Sequence, residues 1–210
     1  MNTKNEKSEP QAPKRDVLKP LRSLQPTRRL RGFEHLQIAE RQATELHSML
    51  KQTGPPADLA WLMDHDGITV VLVPRWKMDG RSGMSTWTEG QWVIGINRGN
   101  PHARRRFTLC HEFKHVLDAS RDRLTYQGLS DGQREQIADY FAACYLMPKT
   151  WVRRAWTSGI QDPEAFAGLF NVSLQAMERR LRYLGFIEDE PDRPVASYFR
   201  FSGLQGKRAA

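Results

Sequence analysis

Apolar residues fall along this chain in two alternating rhythms. Phe33, Leu36, Ala39, Ala43, Leu46 and Leu50 recur at three- and four-residue steps, the spacing of one helix face, and the run stops before Gly54-Pro55-Pro56. Asp58 to Asp64 predicts a further short helix. Gly67 to Pro74 is a compact β-branched run bounded by a glycine and a proline, and so predicts a strand. Gly80 to Glu89 reads as a turn-rich link or short strand. Gln91-Trp92-Val93-Ile94-Gly95-Ile96-Asn97 predicts a strand closed by the turn formers Asn97-Arg98-Gly99-Asn100-Pro101.

From Phe107 the rhythm is helical again. Phe107, Cys110, Phe113, Val116 and Leu117 form one apolar stripe, and Ile137, Phe141, Cys144, Tyr145 and Met147 form another that ends at Pro148. Farther on, Pro163 to Phe170, Asn171-Val172-Ser173 and Leu174 to Leu184 read as helix, tight turn and helix, with Ser173 as N-cap and Gly185 as stop. The order of elements predicts a small α+β domain in which helices back one sheet, over residues 33–150. A helix-turn-helix-like segment, 151–187, and a C-terminal tail, 188–210, follow it.

The chemistry concentrates in His111-Glu112-Phe113-Lys114-His115. Two imidazoles four residues apart on a helix share a face and can grip one metal ion, and a glutamate between them can act as a general base, so the spacing points to hydrolysis. A catalytic site of this kind takes a third protein ligand. Glu135 is the best candidate, although a carboxylate near a helix start also suits the macrodipole. Asp118, one turn after His115, is the alternative, but it would crowd a tetrahedral site. Asp139, one turn after Glu135, can accept the outer N–H of a ligating histidine and fix its tautomer.

Arg106-Phe107-Thr108-Leu109-Cys110-His111-Glu112-Phe113-Lys114-His115, with Glu135-x-x-Ala138-Asp139-x-Phe141-Ala142 and Leu146-Met147-Pro148, resembles the ImmA/IrrE family of zinc metallo-endopeptidases. The resemblance covers most of residues 33–185. It implies a gluzincin-like core, His111, His115 and Glu135 as ligands of Zn2+, and Glu112 as base. It also implies a helix-turn-helix repressor as the protein substrate, cut under stress or on induction of a mobile element. The departures are Cys110 in place of a small residue, Asp139 in place of asparagine, and Phe113-Lys114 in place of Leu-Gly. Mn2+ or Fe2+ also suits two histidines and a carboxylate. The strand from Trp92 through Val93, Ile94 and Gly95 to Ile96 can pair with an extended substrate at its edge, or lie inside the core. Tyr126, Tyr140, Tyr145 and Tyr198 are candidate donors to an oxyanion, and nothing in the sequence selects among them.

Composition and charge narrow the rest. No apolar run is long enough to span a bilayer and the N-terminus lacks a signal peptide's apolar stretch, so the expected site is the cytoplasm, with no membrane partner. Cys110 and Cys144 lie in apolar stripes, which suits buried thiols, although Cys110 beside the histidines could also ligate metal. Residues 1–32 hold nine Lys or Arg against three Asp or Glu, whereas residues 33–148 are nearly neutral. With prolines at 10, 13, 20 and 26, the first segment reads as a disordered basic arm, either solubilising or in contact with nucleic acid or an acidic partner. Arg179, Arg180 and Arg182, with Gln175, would face a major groove if the helix-turn-helix-like segment bound DNA; packing without DNA is the other reading. Two functional classes follow: a zinc endopeptidase, or a non-catalytic DNA- or protein-binding regulator with a structural metal.

Overall fold

A computed structural model describes residues 16–31, 33–119 and 125–188. Three strands, β1 (Ile68–Val73), β2 (Gly83–Thr88) and β3 (Gln91–Asn97), form one sheet in the order β1-β3-β2. β2 and β3 are an antiparallel hairpin whose two-residue turn, Glu89-Gly90, has φ of 50° and 81°. Two positive φ angles match the right-handed twist of the flanking strands. β1 pairs parallel to β3, with Ile68 opposite Trp92 and Val70 opposite Ile94. The central strand is thus flanked on both sides.

Alternation puts Ile68, Ile94 and Ile96 on the face turned toward the helices, and all three are buried. Against that face packs α3 (His102–Asp118), which lies beside α4 (Asp131–Leu146), which in turn lies on α2 (Glu34–Met49). The spaced apolar residues of each helix meet here: Ala39, Ala43 and Leu46 from α2, Phe113, Val116 and Leu117 from α3, and Ile137, Phe141 and Tyr145 from α4. Each large side chain so buried contributes about 2 kcal/mol through removal of apolar surface from water. The start of α4 is set by a capping box, in which Ser130 Oγ accepts from the Gln133 amide while the Gln133 side chain accepts from the Ser130 amide. Asp58 to Asp64 yields only one 3-10 turn, Ala60–Leu62, where a short helix was expected.

The arm is the main correction to the sequence reading. Residues 1–15 lie outside the described residues, but residues 16–31 are packed, and they include a short helix, α1 (Leu18–Ser23). Val17, Leu21 and Leu30 are buried. The Arg22 guanidinium donates to the carbonyls of Val116 at 2.8 Å and Leu117 at 3.3 Å, in the last turn of α3, where backbone oxygens have no helical partner. Gln42 Nε2 donates to the Leu21 carbonyl at 3.0 Å. Val17, Leu18, Leu21 and Leu24 keep a helical spacing, but over barely two turns, so the docking depends on groups supplied by α2 and α3.

After Pro148 come α5 (Lys149–Thr157), α6 (Pro163–Phe170) and α7 (Leu174–Tyr183). Asp162 caps α6 through the Ala165 amide, Asn171 ends it in the left-handed conformation, and Ser173 caps α7 through the Ala176 amide. Phe166, Phe170, Met177 and Leu181 close a small core. The tail beyond Glu188, with Tyr198, lies outside the described residues. No helix among the described residues is long and apolar enough to cross a membrane.

Candidate metal centre

His111 and His115 project from the same face of α3, and α4 brings Glu135 to meet them. His111 Nε2 lies 3.1 Å from Glu135 Oε2, His115 Nε2 lies 3.2 Å from Glu135 Oε1, and the two Nε2 atoms are 3.0 Å apart. These three residues each offer a ligand atom within 4.8 Å of the others. His111 Nδ1 is 2.9 Å from Asp139 Oδ1, so the ring donates its Nδ1 hydrogen there and turns the Nε2 lone pair to the shared centre. Two imidazole nitrogens and a carboxylate directed at one point are a donor set that fits a divalent cation of borderline hardness.

The surroundings move the pKa values of the two rings in opposite directions. Burial opposes protonation of His111, but Asp139, then Glu135 and Glu112, outweigh it and raise its pKa. For His115, burial and the neighbouring His111 charge both lower the pKa. One ring is held toward the charged form and the other away from it. Glu112 is 7% exposed, and burial raises its pKa while His111 and the Ser85 hydroxyl pull it back.

Glu112 is positioned by a close strand. A Cβ on Gly83, the first residue of β2, would lie 2.7 Å from Glu112 Oε1, so only glycine lets β2 approach the carboxylate this closely. Between β2 and the helices runs a cleft of about 1050 Å³, lined by Gly83, Met84 and Ser85 of β2, by the His111, Glu112 and His115 face of α3, and by Glu135 and Asp139 of α4. Ser173, Gln175 and Arg179 of α7 form the far wall.

Several expectations change at this level. Trp92, Val93, Ile94, Gly95 and Ile96 belong to the central strand, with both edges already paired, so this strand has no edge for a substrate; the edge beside the centre is β2. Asp118 accepts from Lys114 Nζ, from Tyr126 Oη at 2.7 Å and from Gln25 Nε2 at 2.9 Å, and takes no part in the ligand group. Tyr126 is thereby engaged, Tyr145 Oη donates to the Asp58 carbonyl and Tyr140 Oη donates to Glu40, so three of the four candidate oxyanion donors are engaged within the fold, and the fourth, Tyr198, lies outside the described residues. The Cys110 thiol is buried and pushed up to about 12, as a structural core cysteine. Arg180 is 3% exposed, donates from Nε to the Met147 carbonyl and lies over Tyr140 and Tyr183; its role is packing, not groove contact. Arg182 lies 3.6 Å from Glu178, and Arg179 faces the cleft. Gly83 and Ser85 were missed by sequence reasoning, and an isolated glycine at a strand start was the only signal available. The α7 wall carried no local signal.

Among curated proteins none matches this chain. A solved structure of a Mycobacterium tuberculosis transcriptional regulator is similar at a TM-score of 0.48 and 17% identity, over 86% of this chain and 54% of that one, so the chain spans about half that protein's length. Residues 63–182 match the family model Peptidase_M78, the IrrE N-terminal-like domain, and this stretch includes the sheet, both centre-forming helices and the α7 wall. With more than half of its length in that match and a three-residue group able to hold a metal, the chain belongs to the ImmA/IrrE family of metallopeptidase type.

Proposed function

We propose that this protein is a zinc-dependent endopeptidase that cuts a protein substrate held in extended form along β2. The observation that carries the reading is the convergence of His111, His115 and Glu135 from two helices on one point at the floor of an open cleft, with Glu112 beside it. His111, His115 and Glu135 would hold the zinc. When bound, zinc supplies Lewis acidity, which acidifies a water and polarises the scissile carbonyl. Glu112 takes the proton of the attacking water and passes it to the leaving amine; its buried setting lifts its pKa toward the range in which it can do both. Asp139 holds the His111 ring in the required tautomer. The edge of β2, unpaired among the described residues, offers backbone groups to an extended peptide and so presents it across the cleft.

The family supports a protein substrate, and we take a helix-turn-helix repressor, cut in the cytoplasm as a stress or induction response, as the specific one. A purely structural metal would leave a buried base with nothing to do and would close its fourth position with another protein donor. The test is hydrolysis of a co-purified repressor by the zinc-, manganese- or iron-loaded chain. Cleavage that is lost in Glu112→Gln, while that variant retains stoichiometric metal, is the expected result. Cleavage unchanged in Glu112→Gln, or full metal retention after removal of Glu135, would sink the assignment.

A further inference from the structure

The cleft carries positive charge that the proposed chemistry does not use. Arg81 precedes β2, Arg104 lies in the first turn of α3 and Arg179 lies on α7, and all three line the cleft. Arg104 Nε donates to Ser82 Oγ at 3.1 Å, which keeps its guanidinium at the rim. Arg81 has Asp79 only at 4.0 Å, in a pair whose side chains are 64% and 81% exposed, a geometry worth little. The carboxylates that line the same cleft are Glu112, Glu135 and Asp139, all within the metal centre. Away from the centre, then, the ionisable lining among the described residues is cationic.

On the peptidase reading above, we propose that this cleft selects substrate segments bearing acidic side chains next to the scissile bond, with α7 serving as a specificity wall through Arg179. A guanidinium presents a planar fork that matches a carboxylate, and three of them around one cleft act on the same bound segment. Diffusing acidic segments are also steered in, since field lines concentrate in a cleft bounded by low-dielectric walls. The helix that a DNA reader would lay in a groove is here turned against the protein's own centre: Ser173, Gln175 and Arg179 face the cleft, and Arg180 is buried. An extended peptide also answers the open edge of β2, which a phosphate backbone does not.

The experiment measures binding, separately from cleavage. Metal-free wild-type chain and zinc-loaded Glu112→Gln are titrated, by fluorescence anisotropy, with a short extended peptide whose apolar centre is flanked by glutamates, with its lysine-flanked counterpart, and with an oligothymidylate. The glutamate peptide is expected to bind on the order of tenfold tighter than the lysine peptide in both forms, as two to three exposed pairs allow. That preference should shrink as salt rises toward about 1 M, where the screening length falls to about 3 Å. Arg104→Glu and Arg179→Glu should reverse it. Equal affinity for the two peptides, a lysine preference, a preference confined to the zinc-loaded form, or tighter binding of the oligothymidylate would overturn the proposal. The comparison on unmodified metal-free chain needs no variant to fold. If the charge preference holds but the loaded wild type cleaves neither these peptides nor the repressor, the peptidase reading fails and what stands is a cleft that binds acidic segments without cutting them; cleavage without charge preference overturns this proposal and leaves the peptidase reading in place.

Discussion

Gly83→Ala is the sharpest probe of how the edge strand and the proposed base are coupled. The added methyl would overlap Thr108 Cγ2 and stand 2.7 Å from Glu112 Oε1 and 2.9 Å from Glu112 Cγ. Ordinary carbon contacts begin near ~3.5 Å, so strand or side chains must separate by about 1 Å. Overpacking of this kind costs about 1–3 kcal/mol, which lowers the melting temperature by on the order of 5 °C for a chain of this size. Its effect on rate is larger, since a misplacement of about 1 Å in a catalytic group costs roughly 100-fold. Thermal unfolding and kcat/KM on one peptide substrate at saturating zinc read the two quantities separately. Thr108→Ser in the same chain removes the Cγ2 obstacle but leaves both Glu112 contacts in place. The double variant should therefore recover much of the stability and little of the rate. Wild-type kcat/KM in Gly83→Ala, or complete recovery of rate in the double variant, would refute the idea that β2 holds Glu112 in place.

Other outcomes follow from the same geometry. Asp139→Ala frees the Nδ1 hydrogen of His111 and should weaken zinc about 10- to 100-fold, as measured by competition with a chromophoric chelator; an unchanged affinity would deny Asp139 its orienting role. Lys114 is fully buried and donates to Asp118, Gln42 and Tyr126, so Lys114→Met strands a carboxylate and should cost about 3 kcal/mol in urea unfolding, with a loss under 1 kcal/mol counting against the network. His47 donates from Nε2 to the Tyr145 carbonyl, and burial lowers its pKa. The unfolded chain then takes up its proton first, so stability present above about pH 6.5 is lost as pH falls from there toward the folded value. His35, also lowered by burial, adds to the effect. His47→Gln should remove part of that slope between neutral and mildly acidic pH, and an identical slope would contradict the linkage.

Local pattern determined a good deal here. Three- and four-residue spacing placed α2, α3 and α4, β-branched runs placed β1 and β3, and Ser173 and Pro163 marked the boundaries of α6 and α7, because periodicity and capping act within a few residues. The i, i+4 relation of His111 and His115 is likewise local, whereas Glu135 stood only as the best candidate for a third ligand, beside Asp118, until the packing of α4 on α3 brought it to them. Only packing decided that Trp92 to Ile96 would be the central strand and β2 the open edge, since strand order depends on a parallel pairing between segments more than twenty residues apart. The same holds for Arg180: its helix face looked cationic in the sequence, but α4's C-terminal carbonyl and two tyrosines enclose it. Asp118 was close enough to His115 to be a ligand and was instead taken by Lys114, Tyr126 and Gln25. Which elements form is set by short-range propensity; which side chain faces the cleft depends on long-range contacts that leave no periodic trace in the chain.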